Sequence, residues 1–372
     1  MVTRGGSLDP SAFPDEEFEL YSIPAHDRGG PEIALGSAIG SSKQIVQPGD
    51  VMISKIIPHI RRARIVASFD GRRQIASSEW IVFRGQSFHP RYLRHFLLSE
   101  EFHGQFMSTV AGVGGSLVRA RPAQVRAIAL PLPSIAEQRR IAAILDRADA
   151  IRIKRRQRLA HLETLTQSVF NDSFGADGPT TTLGEVATFH SGGTPSKRRR
   201  DFWGGELPWF SAKDLKANDL WDSQDHIASK VTKETSLRAL PPDTITLVVR
   251  GMILAHTIPV TTLRVRATIN QDLKAVLPKP DQDVDVDFLA EAIRARQGWI
   301  LARVSTAAHG TKKLEAAVLS SVPIPIVGWA RQRAFAKQAA QIRAERARVQ
   351  HALAADEELF ASLQSRAFRG EL

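Results

Sequence analysis

The feature of this sequence that most constrains its fold is an internal repeat. A Pro-x-Pro segment, at 130–133 and again at 322–325, precedes a glutamine and then a long helical pattern in each half of the 372 residues. The pairs that correspond at one constant offset are Gln138 and Gln332, Arg139 and Arg333, Ala142 and Ala336, and Phe174 and Phe368. The two Pro-x-Pro segments align after a two-residue insertion. Because repeats of this length indicate duplicated structural units, we expect two similar halves, each a globular region followed by a long helix.

Each long helical pattern carries its apolar residues on one face. These residues are, in the first helix, Ile141, Ile144, Leu145, Ala148, Ile151, Leu159, Leu162, Leu165 and Val169, and in the second, Phe335, Ala339, Ile342, Val349, Leu353, Phe360 and Leu363. A single apolar stripe at this period needs a partner, and about 35 residues give each helix a span of ~50 Å. We therefore expect the helices to pair as an antiparallel coiled coil. The alternative is that each helix packs separately on its own globular region.

Arg152 and Arg346 occupy equivalent positions in the two stripes, where each interrupts the apolar seam. A polar residue in a helix seam costs stability and usually fixes the register or orientation of the pair. We expect the two arginines to have this role.

The globular regions have the pattern of mixed α+β domains. Short β-branched runs bounded by Gly, Pro or Asp predict strands at 44–46, 51–54, 64–67, 80–83, 244–249 and 263–267, and short helices are predicted within 90–106 and 286–301. The predicted division is a first domain at 1–130, a central helix at 131–176, a second domain at 177–322 and a C-terminal helix at 323–372.

Composition limits the class of partner. The 50 Lys and Arg exceed the 39 Asp and Glu, so the formal net charge is +11. Such a surface attracts polyanions, which makes DNA or RNA the expected partner, with a generally basic soluble protein as the alternative.

The absence of cysteine excludes disulfides, thiolate zinc sites, iron–sulfur clusters and a cysteine nucleophile. Neither a signal-peptide pattern nor an apolar run of ~20 residues is present, so we expect a soluble cytoplasmic protein without a membrane partner.

Several segments, in this order and partly duplicated, form a family pattern. They are Gly49-Asp-Val-Met-Ile-Ser-Lys55, Ser77-Ser-Glu-Trp-Ile-Val82, Ile128-Ala-Leu-Pro-Leu-Pro-Ser-Ile-Ala-Glu-Gln-Arg-Arg-Ile141, Leu183-Gly-Glu-Val186, Ser191-Gly-Gly-Thr-Pro195, Trp209-Phe-Ser-Ala-Lys-Asp-Leu215, Arg250-Gly-Met252, Ile269-Asn-Gln-Asp-Leu-Lys274 and Leu363-Gln-Ser-Arg-Ala-Phe-Arg-Gly-Glu-Leu372. With these segments the chain resembles specificity subunits of type I restriction–modification systems over nearly its whole length.

The resemblance implies an α+β fold with two target-recognition domains, each reading one half of a split DNA site, and two spacer helices that form an antiparallel coiled coil. It also implies two modification (methyltransferase) subunits docked on this chain and restriction (helicase-nuclease) subunits that join them in phage defence. The chain itself is then a non-catalytic subunit that binds double-stranded DNA without a cofactor. The first half has no counterpart of 183–195, so we expect its recognition domain to be shortened at the N-terminus.

We expect DNA contacts at cationic, amide and stacking side chains on loops, because phosphates attract cations and base edges pair with fork-shaped or amide groups. The candidates in the second domain are Thr194, Ser196, Lys197, Arg198, Arg199, Arg200, Trp209, Ser211, Lys213, Arg250, His256, Asn270, Gln271, Lys274, Thr311, Lys312 and Lys313. Those in the first domain are Lys55, His59, Arg61, Arg62, Arg64, Arg72, Arg73, Ser116 and Arg119, of which Ser116 and Arg119 are expected to match Thr311 and Lys312. The alternative for each is a solvated surface residue.

Two other function classes stay open. Pro242-Asp243 followed by Asp272-Leu-Lys274 fits the loose Pro-Asp…Asp-x-Lys pattern of metal-dependent nucleases, in which carboxylates hold magnesium. A scaffold whose long helices bind partner proteins, with incidental DNA contact, is the second alternative. A methyltransferase is not indicated, since Pro241-Pro242 precedes an aspartate rather than an aromatic residue, and the sequence contains no P-loop. The acidic run 281–287 lacks the glycine and final glutamate of a calcium loop.

Overall fold

The computed structural model describes residues 2–3, 6–111, 118–175, 178–307 and 310–372. The chain divides into two compact units: unit 1 comprises Met1–Arg156 with His351–Leu372, and unit 2 comprises Gln157–Gln350. Each unit contains one globular region of helices and strands together with part of each long helix. The predicted α+β class with two long helices is confirmed.

Unit 1 is built around two sheets. Its strands are β1 Val2–Thr3, β2 Ser7–Leu8, β3 Glu17–Tyr21, β4 Glu32–Leu35, β5 Lys43–Ile45, β6 Val51–Ser54, β7 Ala63–Ile65, β8 Arg73–Ala76, β9 Trp80–Phe83, β10 Val110–Ala111 and β11 Arg119–Ala120. Its helices are α1 Ile23–Asp27, α2 Pro90–Leu97, α3 Glu100–Ser108, α4 Pro122–Val125 and the first part of the long helix α5 Ile135–Phe174. Within the described residues one sheet has the order β1-β9-β6-β7, the other β2-β5-β8-β3-β4, and β10 and β11 form a hairpin.

Unit 2 repeats this plan. Its strands are β12 Thr180–Thr182, β13 Ala187–Ser191, β14 Trp203–Phe210, β15 Asp219–Leu220, β16 Asp225–Ile227, β17 Thr244–Val248, β18 Val260–Leu263, β19 Thr268–Ile269, β20 Leu273–Pro278, β21 Ser305–Thr306, β22 Lys312–Lys313 and β23 Pro323–Pro325. Its helices are α6 Leu183–Val186, α7 Val231–Glu234, α8 Val286–Ala295, α9 Gln297–Leu301, α10 Ala316–Ser320 and the first part of the long helix α11 Trp329–Arg369. The sheets have the orders β13-β20-β17-β18-β15 and β16-β14-β19, β12 pairs with β23, and β21 and β22 form a hairpin.

The two long helices run antiparallel within each unit. In unit 1 the Arg152 guanidinium lies 4.0 Å from the centroid of the Phe360 ring, and Arg156 Nη2 donates to Glu357 Oε1 at 2.7 Å. In unit 2 Arg346 Nη2 donates to Glu163 Oε1 at 3.1 Å. Further along α5, the ring centroids of Phe170 and Phe335 are 5.4 Å apart, and Arg331 Nη2 donates to the Ser173 carbonyl oxygen at 2.9 Å. The residue number on α11 thus falls as that on α5 rises, so the expected antiparallel pairing is confirmed.

The helix ends also enter the cores of the globular regions. Phe368, near the end of α11, packs against Tyr92 and Phe96 of α2 in unit 1. Its sequence counterpart Phe174, at the end of α5, packs against Phe288 of α8 in unit 2. Aromatic contacts of this kind bury large apolar areas, so each helix end is fixed to one domain.

Buried glutamines attach the start of each long helix in the same way. Gln138 Oε1 accepts from the His89 backbone N–H at 2.7 Å, just before α2, and Gln332 Oε1 accepts from the Asp285 N–H at 2.9 Å, just before α8. Both side chains are nearly inaccessible to solvent. The two glutamines that were predicted to correspond therefore make equivalent contacts.

The same bonds show that the repeat has one constant offset. Gln138 Nε2 donates to the Pro133 carbonyl oxygen at 2.9 Å, and Gln332 Nε2 to that of Val327 at 2.7 Å. Because these bonds make Pro133 equivalent to Val327, the constant offset continues through the Pro-x-Pro segments and Pro131 corresponds to Pro325. The expected two-residue insertion is therefore wrong. The matching of Pro pairs had placed the motif in the wrong register.

Two other predictions from local pattern are wrong. Residues 263–267 do not form a strand, since β18 ends at Leu263 and the chain turns at Arg264, whose guanidinium binds the carboxylates of Asp219 and Asp287. Ile151, predicted in the helix seam, is 49% exposed, and Arg152 takes the inward position beside it. In both cases an arginine held by tertiary partners overrides the local hydrophobic pattern.

Candidate nucleic-acid interface

A loop that leaves a central strand is attached in the same way in the two units. The loop 55–60 follows β6 in unit 1, and the loop 249–254 follows β17 in unit 2. The Ala120 backbone N–H donates to the Lys55 carbonyl oxygen at 2.8 Å, and the Leu314 N–H donates to that of Val249 at 2.9 Å. These two bonds correspond at the constant offset of the repeat. We call the two segments the strand-exit loops.

A β-hairpin lies against each strand-exit loop. The Ile57 N–H donates to the Val118 carbonyl oxygen at 3.2 Å, and the Gly251 N–H to that of Lys312 at 3.0 Å. Isolated antiparallel bridges join Ile56 to Arg119 and Arg250 to Lys313. The hairpins β10–β11 and β21–β22 therefore bring cations from distant sequence positions beside the loops.

The bridge register corrects one expected correspondence. Arg119 matches Lys313, one position beyond the predicted Lys312, because both residues face the equivalent loop position. Ser116, the other residue of that comparison, lies outside the described residues. Thr311 is half-buried, and its carbonyl oxygen accepts from the Ala307 N–H at 2.8 Å, which closes the hairpin of unit 2.

The strand-exit loop of unit 2 presents both charge and apolar surface. Arg250 and His256 are exposed, and neither forms an ion pair with any residue that the structure describes. Lys312 Nζ donates to Thr306 Oγ1 at 2.8 Å, and Lys313 Nζ pairs with Glu315 at 2.9 Å. Met252 is 62% exposed between Arg250 and His256. Gly251, at φ 137°, has a backbone conformation that only glycine adopts readily.

A glycine turn joins two further groups of predicted residues. A Cβ on Gly192 would lie 2.1 Å from the Ile269 carbonyl oxygen, so the chain can approach β19 this closely only with glycine. This approach lets Thr194 Oγ1 donate to Gln271 Oε1 and Lys274 Nζ donate to Ser191 Oγ at 2.7 Å. Asn270 is buried instead, and its Oδ1 accepts from the Asp272 N–H at 3.1 Å, so its side chain shapes the turn.

Next to this turn is a cavity of about 580 Å³ that combines aromatic rings and cations. Its lining residues are Lys197, Arg200, Trp203, Trp209, Ser211, Lys213 and Asp225. The Trp209 indole is largely buried and donates through Nε1 to the Gly193 carbonyl oxygen at 2.9 Å, with the Trp203 ring edge-on at 5.2 Å between centroids. Lys213 Nζ pairs with Asp225 at 2.7 Å. Most of these lining residues were predicted from the sequence, but Trp203 and Asp225 were not.

Two of the predicted residues here have their polar groups occupied within the protein. Ser211 is buried, and its Oγ donates to Asp214 Oδ2 at 2.9 Å. Arg199 donates to Asp201 through two bonds of 2.8 Å and lies 4.1 Å from the Phe202 ring centroid. Hydrogen bonds from Arg199 and Lys230 hold the pKa of Asp201 well below its usual range. Ser196, Lys197, Arg198 and Arg200 are exposed on the same loop.

In unit 1 most of the predicted cations are paired with carboxylates. Arg62 is buried and binds Asp27 through two bonds of 2.7 and 2.8 Å. The other pairs are Arg61 with Glu100, Arg72 with Asp70 and Glu17, Arg73 with Glu16, and Arg119 with Glu79. Lys55, His59 and Arg64 have no carboxylate partner among the described residues. Among the predicted contact residues that the structure describes, unit 1 thus has fewer cations without a carboxylate partner than unit 2.

The nuclease pattern does not assemble into a site. Asp243 precedes β17 and Asp272 precedes β20, and these strands are antiparallel with Val248 opposite Leu273. The two aspartates are therefore at opposite ends of the pair, of the order of 20 Å apart at ~3.3 Å per residue. Asp243 Oδ1 is bound by Arg264 Nη1 at 2.8 Å. Nor do the described ranges contain any group of three His, Asp or Glu suited to a metal ion.

A largely buried charge cluster, which was not predicted from the sequence, ties the long helix to the domain in unit 2. Asp287 accepts from Arg343 Nη2 of α11 at 2.8 Å, and Arg264 binds both Asp287 and Asp219. Burial favours the neutral acid, but the hydrogen bonds from Arg343 and Arg264 outweigh it and lower the pKa of Asp287. No local signal marks such a cluster, because its members are far apart in sequence.

Comparison with known proteins gives the family of the chain. A family model described as the type I restriction modification DNA specificity domain matches residues 19–164 and 179–339. The type I restriction enzyme EcoR124I/EcoR124II specificity subunit of Escherichia coli is 34% identical over 146 residues, which are 39% of this chain and 36% of that protein. The MjaIX specificity subunit of Methanocaldococcus jannaschii is 35% identical over 103 residues, 26% of this chain and 22% of that protein. The chain thus matches only about a third or less of the length of these relatives.

Solved structures share the fold over the whole chain. A chain from a structure on complex assembly and conformational transition of the type I R-M system has a TM-score of 0.60 at 20% identity, covering 100% of this chain and 96% of that one. The type I restriction-modification system S subunit from M. genitalium has a TM-score of 0.59 at 14% identity, covering 99% and 93%. None of the helices in the described ranges combines the length and the apolar character of a membrane span. With two family matches, one in each half, the chain belongs to the type I restriction modification DNA specificity family.

Proposed function

We propose that the chain is the DNA-specificity subunit of a type I restriction–modification complex and carries no catalysis of its own. In this proposal the segments 1–130 and 177–322 are target-recognition domains for the two halves of a split site, and 131–176 and 323–372 are the spacer helices. The observation that carries the proposal is the pair of strand-exit loops, each backed by a hairpin with cations at the matching position. Duplicated readers suit a bipartite target, because each half-site needs its own contacts.

The proposed contact residues divide by exposure. Cations that meet phosphates or guanine edges are proposed at solvent-accessible positions, because an exposed surface ion pair is weak and easily given up, whereas a buried pair is costly to break. In unit 2 the proposed set is Thr194, Ser196, Lys197, Arg198, Arg199, Arg200, Lys213, Arg250, Met252, His256, Gln271, Lys274, Thr311, Lys312 and Lys313. In unit 1 it is Lys55, His59, Arg61, Arg64, Arg72, Arg73 and Arg119. The buried Arg62, Trp209, Ser211 and Asn270 would act by positioning these loops.

We also propose the partners that a specificity subunit requires. Two methyltransferase subunits would dock on this chain and modify the two half-sites, and helicase-nuclease subunits would join them for cleavage. Neither reaction needs a reactive group from this chain. The separation of Asp243 from Asp272 supports this assignment over an intrinsic nuclease.

The test is to express the chain with its cognate methyltransferase subunit and map methylated bases across the host genome. We expect one bipartite motif, with two specified halves separated by unspecified bases. Methylation that ignores sequence, or DNA binding without sequence preference at any salt concentration, would leave the scaffold as the better function. Cleavage of DNA by the isolated chain with Mg²⁺, lost in Asp243→Ala, would establish the nuclease instead.

A further inference from the structure

The strand-exit loop of unit 2 carries two adjacent apolar side chains that face solvent. Met252 is 62% exposed and Ile253 is 42% exposed. They begin a short 3₁₀ turn, Met252–Ala255, in which the next residue, Leu254, is buried in the core of unit 2. The two exposed side chains therefore lie on a turn that is anchored from below. We call Met252 and Ile253 the apolar tip.

Backbone hydrogen bonds hold the apolar tip in place. The Gly251 N–H donates to the Lys312 carbonyl oxygen of the hairpin at 3.0 Å, and the Gly251 carbonyl oxygen accepts from the Leu254 N–H at 3.2 Å. The Ile253 carbonyl oxygen accepts from the Thr257 N–H at 3.0 Å. Because the turn is fixed on both sides, its apolar side chains are presented at a defined position.

Basic side chains surround the apolar tip. Arg250 and His256 are exposed on either side of it in the sequence. The hairpin that carries Lys312 and Lys313 lies against the loop, with Arg250 bridged to Lys313. A ligand of this surface must therefore combine negative charge with apolar faces. Duplex DNA offers both, because its phosphates are charged and the faces of its base pairs become accessible where two pairs separate.

The corresponding turn of unit 1 presents a different surface. The Ile60 N–H donates to the Ile57 carbonyl oxygen at 3.0 Å, which is the same bond that closes the turn in unit 2. At the constant offset of the repeat, Pro58 takes the place of Met252 and is buried, and His59 takes the place of the isoleucine. Ile60 is exposed, but it follows a histidine. The two units thus share the turn and differ in the side chains at its tip.

We propose that the apolar tip of unit 2 enters between two base pairs of its half-site, with Met252 as the inserted side chain, and partly unstacks them. This inference rests on the proposed function, since it requires the strand-exit loop to face DNA. Methionine and isoleucine are among the apolar side chains that proteins insert into base steps, where they kink the duplex. The cost of unstacking is lowest at pyrimidine–purine steps, so insertion selects a flexible step without a hydrogen bond to a base edge.

The test uses the full chain with its methyltransferase subunit and duplexes of the mapped site, in which 2-aminopurine replaces one base at a time. The fluorescence of 2-aminopurine rises when the base is unstacked. We expect a rise at one step with the original chain and with Met252→Leu, which keeps an apolar side chain, and loss of that rise with Met252→Ser. Unstacking by the methyltransferase is common to all three chains. Leu35→Ser removes an exposed apolar side chain from β4 of unit 1 and should keep the rise.

A nick in one strand at the identified step gives a second readout. The nick lowers the cost of kinking the duplex and leaves every base edge intact. The original chain should therefore bind the nicked site roughly 5- to 50-fold more tightly than the intact site. Met252→Ser should bind the two duplexes within about 2-fold of each other, because it no longer kinks them. Equal affinity of the original chain for both duplexes would overturn the proposal.

The outcomes separate this inference from the proposed function. If the original chain prefers the mapped site to a scrambled duplex but shows no rise that depends on residue 252, insertion is wrong and DNA recognition stands. If Met252→Ser and a thymine-to-uracil replacement weaken binding alike without unstacking, Met252 contacts a thymine methyl group and insertion is wrong. Loss of the methyltransferase subunit from the Met252→Ser complex would make the tip a protein contact. Equal binding of mapped and scrambled duplexes would overturn the proposed function itself.

Discussion

The charged side chains of this protein divide into those held by carboxylates within the fold and those left for solvent or a partner. Arg62 and Arg264 belong to the first kind, since both guanidinium groups are largely buried and bind aspartates, Asp27 at the surface and Asp219 in the interior. Arg250 belongs to the second, since it is exposed on a strand-exit loop without a carboxylate partner in the described ranges. An arginine of the second kind keeps its donors for base edges or phosphates, so it is the place to test DNA recognition.

We expect Arg250→Ala to weaken specific DNA binding by about 5- to 150-fold, the range for loss of one good base contact. Arg348→Ala removes the same charge from an exposed position of α11 and should have little effect. Binding of each variant to cognate and scrambled duplexes at several salt concentrations measures both effects. If both variants lose the same affinity for both duplexes, Arg250 contributes only charge.

A second residue-scale prediction concerns the buried amide of Gln332. Gln332→Ala leaves the Asp285 N–H and the carbonyl oxygens of Asp283 and Val327 without their partner. Each unsatisfied buried group costs about 1–3 kcal/mol, so we expect the free energy of unfolding to fall by at least ~1 kcal/mol. Urea unfolding measures this, and Gln338→Ala, on the exposed side of the same helix, provides the control.

At the scale of elements, the long helices are tied to the domains by side chains that the sequence could indicate only in part. The bounds of β6 and β9 followed from local pattern, and the repeat identified Gln138 and Gln332 as equivalent. The turn at Arg264 was not predictable, because its partners Asp219 and Asp287 come from separate elements. For the candidate site, composition and family pattern selected the loops, but only packing decided which cations stay exposed.

His95 gives a pH test of one such tie. This buried side chain of α2 hydrogen-bonds through Nε2 with Asp146 of α5 at 2.8 Å. Burial lowers the pKa of His95 from 6.5, and the hydrogen bond with Asp146 offsets this only in part. Because the pKa of His95 is lower in the folded chain than in the unfolded chain, the neutral side chain contributes to stability above pH 6.5. As the pH falls, the unfolded chain binds the proton first, so this contribution is lost.

We expect His95→Gln to reduce the loss of stability between pH 7 and pH 5, by up to about 1.4 kcal/mol per pH unit. Chemical denaturation at both pH values measures the difference. His161→Gln, at an exposed position of α5, should retain the pH dependence of the original chain. Equal slopes for His95→Gln and the original chain would show that His95 does not contribute.

At the scale of the whole molecule, the two long helices have nearly equal lengths of 40 and 41 residues. Matched antiparallel helices suit a spacer, because an insertion in one can be balanced by an insertion in the other. If the chain reads a split site as proposed, the helix length sets the number of bases between the halves. Each added helical residue contributes about 1.5 Å.

Seven residues added both after Arg156 and after Gln350 should therefore lengthen the spacer by ~10 Å, or about three base pairs. Methylation mapping of the co-expressed complex measures the new gap between unchanged half-sites. An insertion after Arg156 alone should mispair the helices and lower the melting temperature instead. An unchanged gap with the double insertion would contradict the spacer role.

The constant offset between the two halves has a consequence for how such a protein can change over generations. Two attachments of the globular regions, through the Gln138 amide and the hairpin bridge at Arg119, recur at Gln332 and Lys313 in the same frame. An in-frame exchange of coding sequence between the two halves, or with a related gene, would deliver a domain whose glutamine and hairpin contacts already fit. If the two regions read DNA as proposed, such an exchange would give a new target preference in one step.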